Sequence, residues 1–178
     1  MTDQGPRHAT GPRRFRRPGD RPWRIAVVEG SMLPAIAPGD WLLVDPTVAR
    51  WPRRGAVVIF REPGSDELAV KRVAARPGDW VPFADGWLQL GDDEAWLIGD
   101  ATDEAIQDAG HGPAVDSRRY GPVPLDALVA RAWFRYWPRR RMGLIGPAPR
   151  DLLERGREGR IPVVVREAAA DPRDDPGS

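Results

Sequence analysis

This chain contains a single lysine. Of its 27 basic residues, 26 are arginine and only Lys71 is lysine. That excess fits a composition bias that replaces lysine wherever a positive charge alone is wanted. A guanidinium keeps its proton inside a protein, whereas an ammonium taken out of water can lose it. The surviving lysine thus marks a place where a neutral amine has a use, although a chance survivor on the surface gives the same count. Serine is scarce too, with only Ser31, Ser65, Ser117 and Ser178 in 178 residues. Ser178 is terminal and Ser65 stands in the turn Pro63-Gly64-Ser65. Ser31 follows the apolar run Ile25–Val28 and Gly30 and precedes Met32-Leu33-Pro34. Such a strand-to-turn corner lets a hydroxyl stand clear of the sheet while a backbone N–H faces an oxyanion. It equally suits a serine that caps the next turn.

A serine nucleophile needs a base. The two histidines offer little: His8 lies in a Gly-, Pro- and Arg-rich stretch and His111 in a Gly-flanked loop. A Ser-His-Asp triad is therefore disfavoured, which leaves lysine. Lys71 sits in the middle of Glu67–Ala74, where strand alternation puts Ala69, Lys71 and Val73 on one face and Arg72 on the other. That face is small and apolar around the amine, and Arg72 is left to pair with carboxylates. A free lysine, with pKa about 10.4, is neutral roughly one time in a thousand near pH 7.4. Burial lowers that pKa by as much as several units, enough for a working base.

The elements that must position these residues are short. Apolar runs Ile25–Val28, Trp41–Val44, Ala56–Phe60, Leu68–Ala74, Trp80–Phe83, Trp87–Leu90, Ala95–Ile98 and Ala127–Tyr136 are separated by Pro38-Gly39-Asp40, Pro63-Gly64-Ser65, Pro77-Gly78-Asp79 and Asp85-Gly86. Many short strands between turn signals predict a mainly β domain, with one helical turn starting at Ser31. Residues 1–21 read as a disordered basic arm, 22–146 as the catalytic body and 147–178 as a weakly ordered tail. A short helix over Pro149–Arg157 and an apolar run Ile161–Val165 fall in that tail.

Composition excludes several classes. Without cysteine, thiol catalysis, disulfides and Cys-based zinc sites are ruled out. A net charge of +1 carries no overall bias toward nucleic acid. Eight acids in Asp92–Asp116 fit no calcium-loop spacing and read as an exposed acidic loop. No apolar run reaches the ~18–20 residues that cross a bilayer, and no secretory apolar segment follows the basic start. The expectation is a cytoplasmic or membrane-peripheral protein. Arg7–Arg24 and Arg139–Arg141, the latter beside Trp133, Phe134, Tyr136 and Trp137, could make weak contact with an anionic membrane surface.

Together these residues resemble the signal peptidase I family. Ser31-Met32-Leu33-Pro34-Ala35-Ile36-Ala37-Pro38-Gly39-Asp40 is similar to its nucleophile box, and Lys71-Arg72-Val73-Ala74-Ala75-Arg76-Pro77-Gly78-Asp79 to its general-base box. Gly99-Asp100, followed by Asp116-Ser117-Arg118-Arg119-Tyr120-Gly121-Pro122-Val123-Pro124, resembles the third box, and Arg135-Tyr136-Trp137-Pro138 the terminal strand. Ala35, Ala101 and Ala114 stand where the family has Thr, Asn and a lysine-orienting Ser. Glu29 replaces a Ser or Gly two places before the nucleophile, and Thr102–Gly112 is an acidic insertion. No membrane anchor is expected before the nucleophile, where the family usually carries one.

The resemblance implies a signal peptidase/LexA-type coiled β-sheet domain with few short helices, and a serine endopeptidase using a Ser–Lys dyad on a polypeptide precursor. Ser31 is the nucleophile, Lys71 the base, and the backbone N–H of Ser31 the oxyanion donor. Met32, Arg72, Asp100, Asp116, Ser117 and Arg118 support the site, with Met32 and the strand around Lys71 as candidate pocket walls. No cofactor, metal or nucleic acid is implied. Removal of signal or leader peptides competes with cytoplasmic maturation of one dedicated precursor, a layout that nickel superoxide dismutase maturation proteases resemble. A LexA-type self-cleaving regulator would need an Ala-Gly or Cys-Gly bond and a DNA-binding domain before Ser31. A catalytically dead peptide-binding module is the alternative from another class.

Overall fold

The computed structural model describes residues 22–65, 67–84, 86–102, 115–150 and 152. The expected N-terminal arm, the run Ile161–Val165, His8, His111, Ala114 and most of the acidic insertion lie outside the described residues.

Among the described residues there are ten strands: β1 (Trp23–Ala26), β2 (Trp41–Asp45), β3 (Val57–Arg61), β4 (Leu68–Ala75), β5 (Trp80–Phe83), β6 (Gly86–Gln89), β7 (Glu94–Ile98), β8 (Val123–Pro124), β9 (Leu128–Trp137) and β10 (Gly143–Leu144). A short helix, α1 (Ser117–Tyr120), stands before β8. Eight strands form one curled antiparallel sheet in the order β1-β2-β9-β3-β4-β7-β8, with β10 added along β9, while β5 and β6 make a separate hairpin. The chain is therefore mainly β. The eight apolar runs of the sequence all became strands, with ends moved by at most two residues. β8 and β10, two residues each, are too short to leave an alternating pattern.

Burial follows the two faces of the sheet. On one face Leu42, Val44, Val57, Ile59, Ala130 and Ala132 pack with Val27, Met32 and Ile36. On the other Val58, Phe60, Ala69, Val73, Leu97 and Leu128 pack with Trp51, Ala95 and Val123. β3 sends Val57 and Ile59 into the first cluster and Val58 and Phe60 into the second, so it is buried on both faces and reads as the continuous apolar run VVIF. The β5–β6 hairpin closes over a third cluster of Val81, Leu90, Trp96 and Ile98. Leu152 is buried there and Ala148 packs against it, so residues past position 146 contribute to the body.

The residues after Ser31 form hydrogen-bonded turns, with Leu33 N on Gly30 O (3.0 Å) and Ile36 N on Met32 O (2.9 Å). The helical turn expected at Ser31 is this one turn; helix forms at α1 and at Arg150 and Leu152, within the short helix expected over Pro149–Arg157. The signal for α1 was present in the sequence: Asp116 occupies the N-cap and accepts from Arg118 N.

Candidate active site

Ser31 is delivered by the segment that leaves β1. Val27 N donates to Asp40 O and Gly39 N to Val27 O, so the chain returns on itself through Pro38-Gly39-Asp40. Gly39 takes φ +84°, a conformation that favours glycine. The loop is then clamped from β9 and the turn that follows it. Arg135 Nη1 donates to Ala35 O (2.6 Å), and Arg141 Nη2 to Pro34 O (3.1 Å) and Ala35 O (3.3 Å). Both arginines also reach the buried Asp40 carboxylate, at 3.5 and 3.2 Å. Arg141 is thus engaged within the fold, leaving Arg139 and Arg140 exposed. Trp133 and Trp137 are exposed as well, and Phe134 and Tyr136 half-buried.

A second constraint comes from β7. The Ser31 carbonyl accepts from Ala101 N at 3.1 Å, and it sits so close to Gly99 that a Cβ there would collide with it. Only glycine permits that approach. The substituted positions are tolerated for visible reasons. Ala101 holds Ser31 through its backbone, and Ala35 is gripped by its carbonyl, so neither contact needs a polar side chain.

Lys71 arrives on β4, opposite Val58 of β3. Its Nζ lies 2.7 Å from Ser31 Oγ, in a hydrogen bond buried within the fold. Lys71 is 2% exposed and Ser31 9%. Ala69 and Val73 flank it on the same face in the second core cluster, as strand alternation predicted. Burial drives the Lys71 pKa below the ordinary lysine value, against the upward pull of Glu29, Asp116 and Glu62 and with a smaller downward push from Arg118. The cation acting on the amine is therefore Arg118, while Arg72 points to the other face. No hydrogen bond from the Ser31 N–H occurs among the described residues, so that donor is available to a ligand.

The remaining predicted residues form the scaffold behind this pair. Arg72, 1% exposed, places Nε 2.7 and 2.9 Å from the Asp100 carboxylate oxygens and Nη1 2.8 Å from Gly55 O. Asp116, fully buried, accepts from Gly99 N at 3.2 Å. It caps α1 and takes a bidentate ion pair from Arg118 at 2.9 Å. Ser117 Oγ accepts from Leu97 N at 2.9 Å. The third box thereby ties β7 and α1 together next to the Ser31 carbonyl. Met32, expected as a pocket wall, is 1% exposed and packs into the first core cluster. A methionine in that setting anchors the Ser31 loop from below.

Two groups near the amine were not singled out as its neighbours in the sequence. Glu29 and Glu62 both act on Lys71, and desolvation raises the Glu62 carboxyl. Glu29 is two residues from Ser31, but Glu62 reaches the site only because β3 pairs with β4. Proximity of that kind leaves no local signal. A cleft of about 780 Å³ lies elsewhere, against Arg72, Gly55, Trp133 and Ile145, and neither Ser31 nor Lys71 lines it.

Comparison with known proteins gives the family. The family model for signal peptidase, peptidase S26, matches residues 23–109. The chain is 30% identical over 123 residues to the mitochondrial ATP-independent inner membrane protease subunit 1b of Arabidopsis thaliana, covering 67% of this chain and 72% of that one. It is 28% identical over 143 residues to signal peptidase I of Leptolyngbya laminosa, covering 67% and 70%. It is 31% identical over 119 residues to the mitochondrial inner membrane protease subunit 1 of Schizosaccharomyces pombe, covering 61% and 69%. No helix among the described residues is long and apolar enough to cross a membrane. By this match, whose segment contains Ser31 and Lys71, and by these relatives, the chain belongs to the signal peptidase family, peptidase S26, and is a serine-type endopeptidase.

Proposed function

We propose that Ser31 and Lys71 form the catalytic dyad of an endopeptidase that cleaves signal or leader peptides from precursor polypeptides. The observation that carries this reading is the 2.7 Å approach of Lys71 Nζ to Ser31 Oγ at a buried position. Desolvation there favours the neutral amine. Neutral Lys71 accepts the Ser31 hydroxyl proton as Oγ attacks the scissile carbonyl, and the developing oxyanion takes the Ser31 N–H. Collapse of the tetrahedral intermediate breaks the peptide bond, and the Lys71 ammonium gives its proton to the leaving amine. The same lysine, neutral again, takes a proton from water as that water attacks the acyl-enzyme ester, and returns it to Oγ as the acid leaves.

A peptide has a place to lie. β7 pairs with β4 only from Arg72 to Ala75, so the outer edge of Leu68–Val70 carries no strand among the described residues. Val28, 78% exposed, leads toward the nucleophile on a segment that is likewise unpaired. Free strand edges on two sides of a nucleophile suit an extended substrate bound by strand addition. Contact with an anionic membrane surface through Arg139 and Arg140 belongs to the same proposal. It predicts vesicle co-sedimentation that weakens as salt rises.

The test is turnover of a leader peptide by Ser31→Ala, Lys71→Ala and Lys71→Arg. All three are expected to be inactive while keeping the wild-type circular dichroism spectrum. Labelling of Ser31 by a serine-reactive acylating probe separates an enzyme from a peptide-binding module. Appreciable turnover by Lys71→Arg counts against the dyad, because a guanidinium stays protonated.

A further inference from the structure

The Ser31–Lys71 pair is bordered by carboxylates. Glu29 stands two residues before the nucleophile and is exposed. On the β3–β4 ladder Val58 faces Lys71 and Phe60 faces Ala69. One step further, Glu62 N donates to Glu67 O at 3.0 Å. Cross-strand partners share a face, so Glu62 and Glu67 extend the face on which Lys71 lies. Glu67 is four residues from Lys71 along β4, about 13 Å of extended chain. Among the described residues none of these three glutamates forms an ion pair with an arginine; the carboxylates that do are Asp40, Asp79, Asp100 and Asp116.

Their position matters because of the unpaired backbone beside them. The free edges at Val28–Glu29 and Leu68–Val70 are where an extended peptide can add as a strand, and Glu29 and Glu67 terminate those edges. A peptide laid there removes water from the carboxylates. A desolvated carboxylate without a partner costs free energy, and a cation brought by the peptide offsets that cost. Apolar or acidic side chains do not. Resting on the dyad reading of the same site, we propose that Glu29 and Glu62, assisted by Glu67, are specificity-determining residues that select peptides with an arginine or lysine within about four positions of the scissile bond. Glu29 occupies a position where the family has a small residue, so this preference is a property of this chain's own substitution.

The experiment uses the full chain and fluorogenic peptides that differ only in Arg or Gln, scanned over four positions on each side of the cut. The readout is the ratio of kcat/KM for the Arg and Gln versions within each enzyme, which cancels any change in Lys71 protonation. For wild type the ratio is expected to reach about three- to tenfold at one or more positions, the range for one or two partly exposed ion pairs. It should fall toward one in Glu29→Gln/Glu62→Gln, and Glu29→Arg should favour a Glu-containing peptide over its Gln version. A wild-type ratio of one at every position, or a preference that the double variant retains, overturns the proposal. Failure of the dyad is read separately, as cleavage of the neutral peptide by Ser31→Ala.

Discussion

Asp100→Ala is expected to destabilise the protein far more than it removes contacts, and the reason is its partner. The Arg72 and Asp100 side chains are 2% and 0% exposed. Arg72 has two outlets for its charge, the Asp100 carboxylate and the Gly55 carbonyl, and its Nη2 is buried without an acceptor among the described residues. Removing Asp100 leaves a guanidinium enclosed beside one neutral oxygen. Breaking a buried pair from one side costs about 3–5 kcal/mol. For a chain of this size each kcal/mol lowers Tm by about 2–4 °C, so a fall of roughly 6–20 °C is expected. The pair as a whole contributes much less, because its ionic attraction is offset by desolvation and the Nη2 is unsatisfied. Arg72→Met/Asp100→Leu should therefore recover most of the loss. Thermal and urea unfolding of the wild type, both single variants and the double variant complete the cycle. An Asp100→Ala protein that melts within 2 °C of wild type, or a double variant no better than the worse single, would refute the reasoning.

Gly99→Ala places a Cβ against the Ser31 carbonyl, so the nucleophile must shift. A displacement near 1 Å costs about a hundredfold in rate, and kcat should fall with KM little changed. Lys71→Met should stabilise the fold at neutral pH. The folded-state lysine has a depressed pKa, so the unfolded chain binds more protons and wild-type stability rises with pH up to the ordinary lysine value. The advantage of Lys71→Met should shrink over that window, as read by urea melts at stepped pH. Arg118→Gln removes a cation that lowers the Lys71 pKa and frees Asp116 to raise it. The alkaline shift of its kcat/KM profile is the check.

Much of this fold was legible because turns and apolar runs are local. Pro38-Gly39-Asp40 and Pro77-Gly78-Asp79 marked strand ends, and the small face of Ala69, Lys71 and Val73 followed from alternation alone. The box resemblance selected Ser31 from four serines, and β4 carries Lys71 to it. What stayed hidden depends on long-range register. Arg141 read as a surface charge, yet the turn after β9 lies beside the Ser31 loop and delivers it to Asp40, 101 residues away in sequence. Met32 read as a wall because it neighbours Ser31, but the turn after Ser31 rotates it into the core. Gly99 read only as part of a Gly-Asp pair, since its closeness to Ser31 exists only in the folded chain.

The most direct measurement of the central claim is the pH dependence of kcat/KM for wild type on one leader peptide, with Lys71→Arg and Ser31→Ala alongside. A lysine base predicts a rate that rises with pH through one ionisation below the ordinary lysine value of about 10.4. It also predicts no activity in either variant at any pH. A rising limb near pKa 6.5 that disappears in His111→Ala, or a Lys71→Arg enzyme that keeps the wild-type profile, would contradict the dyad.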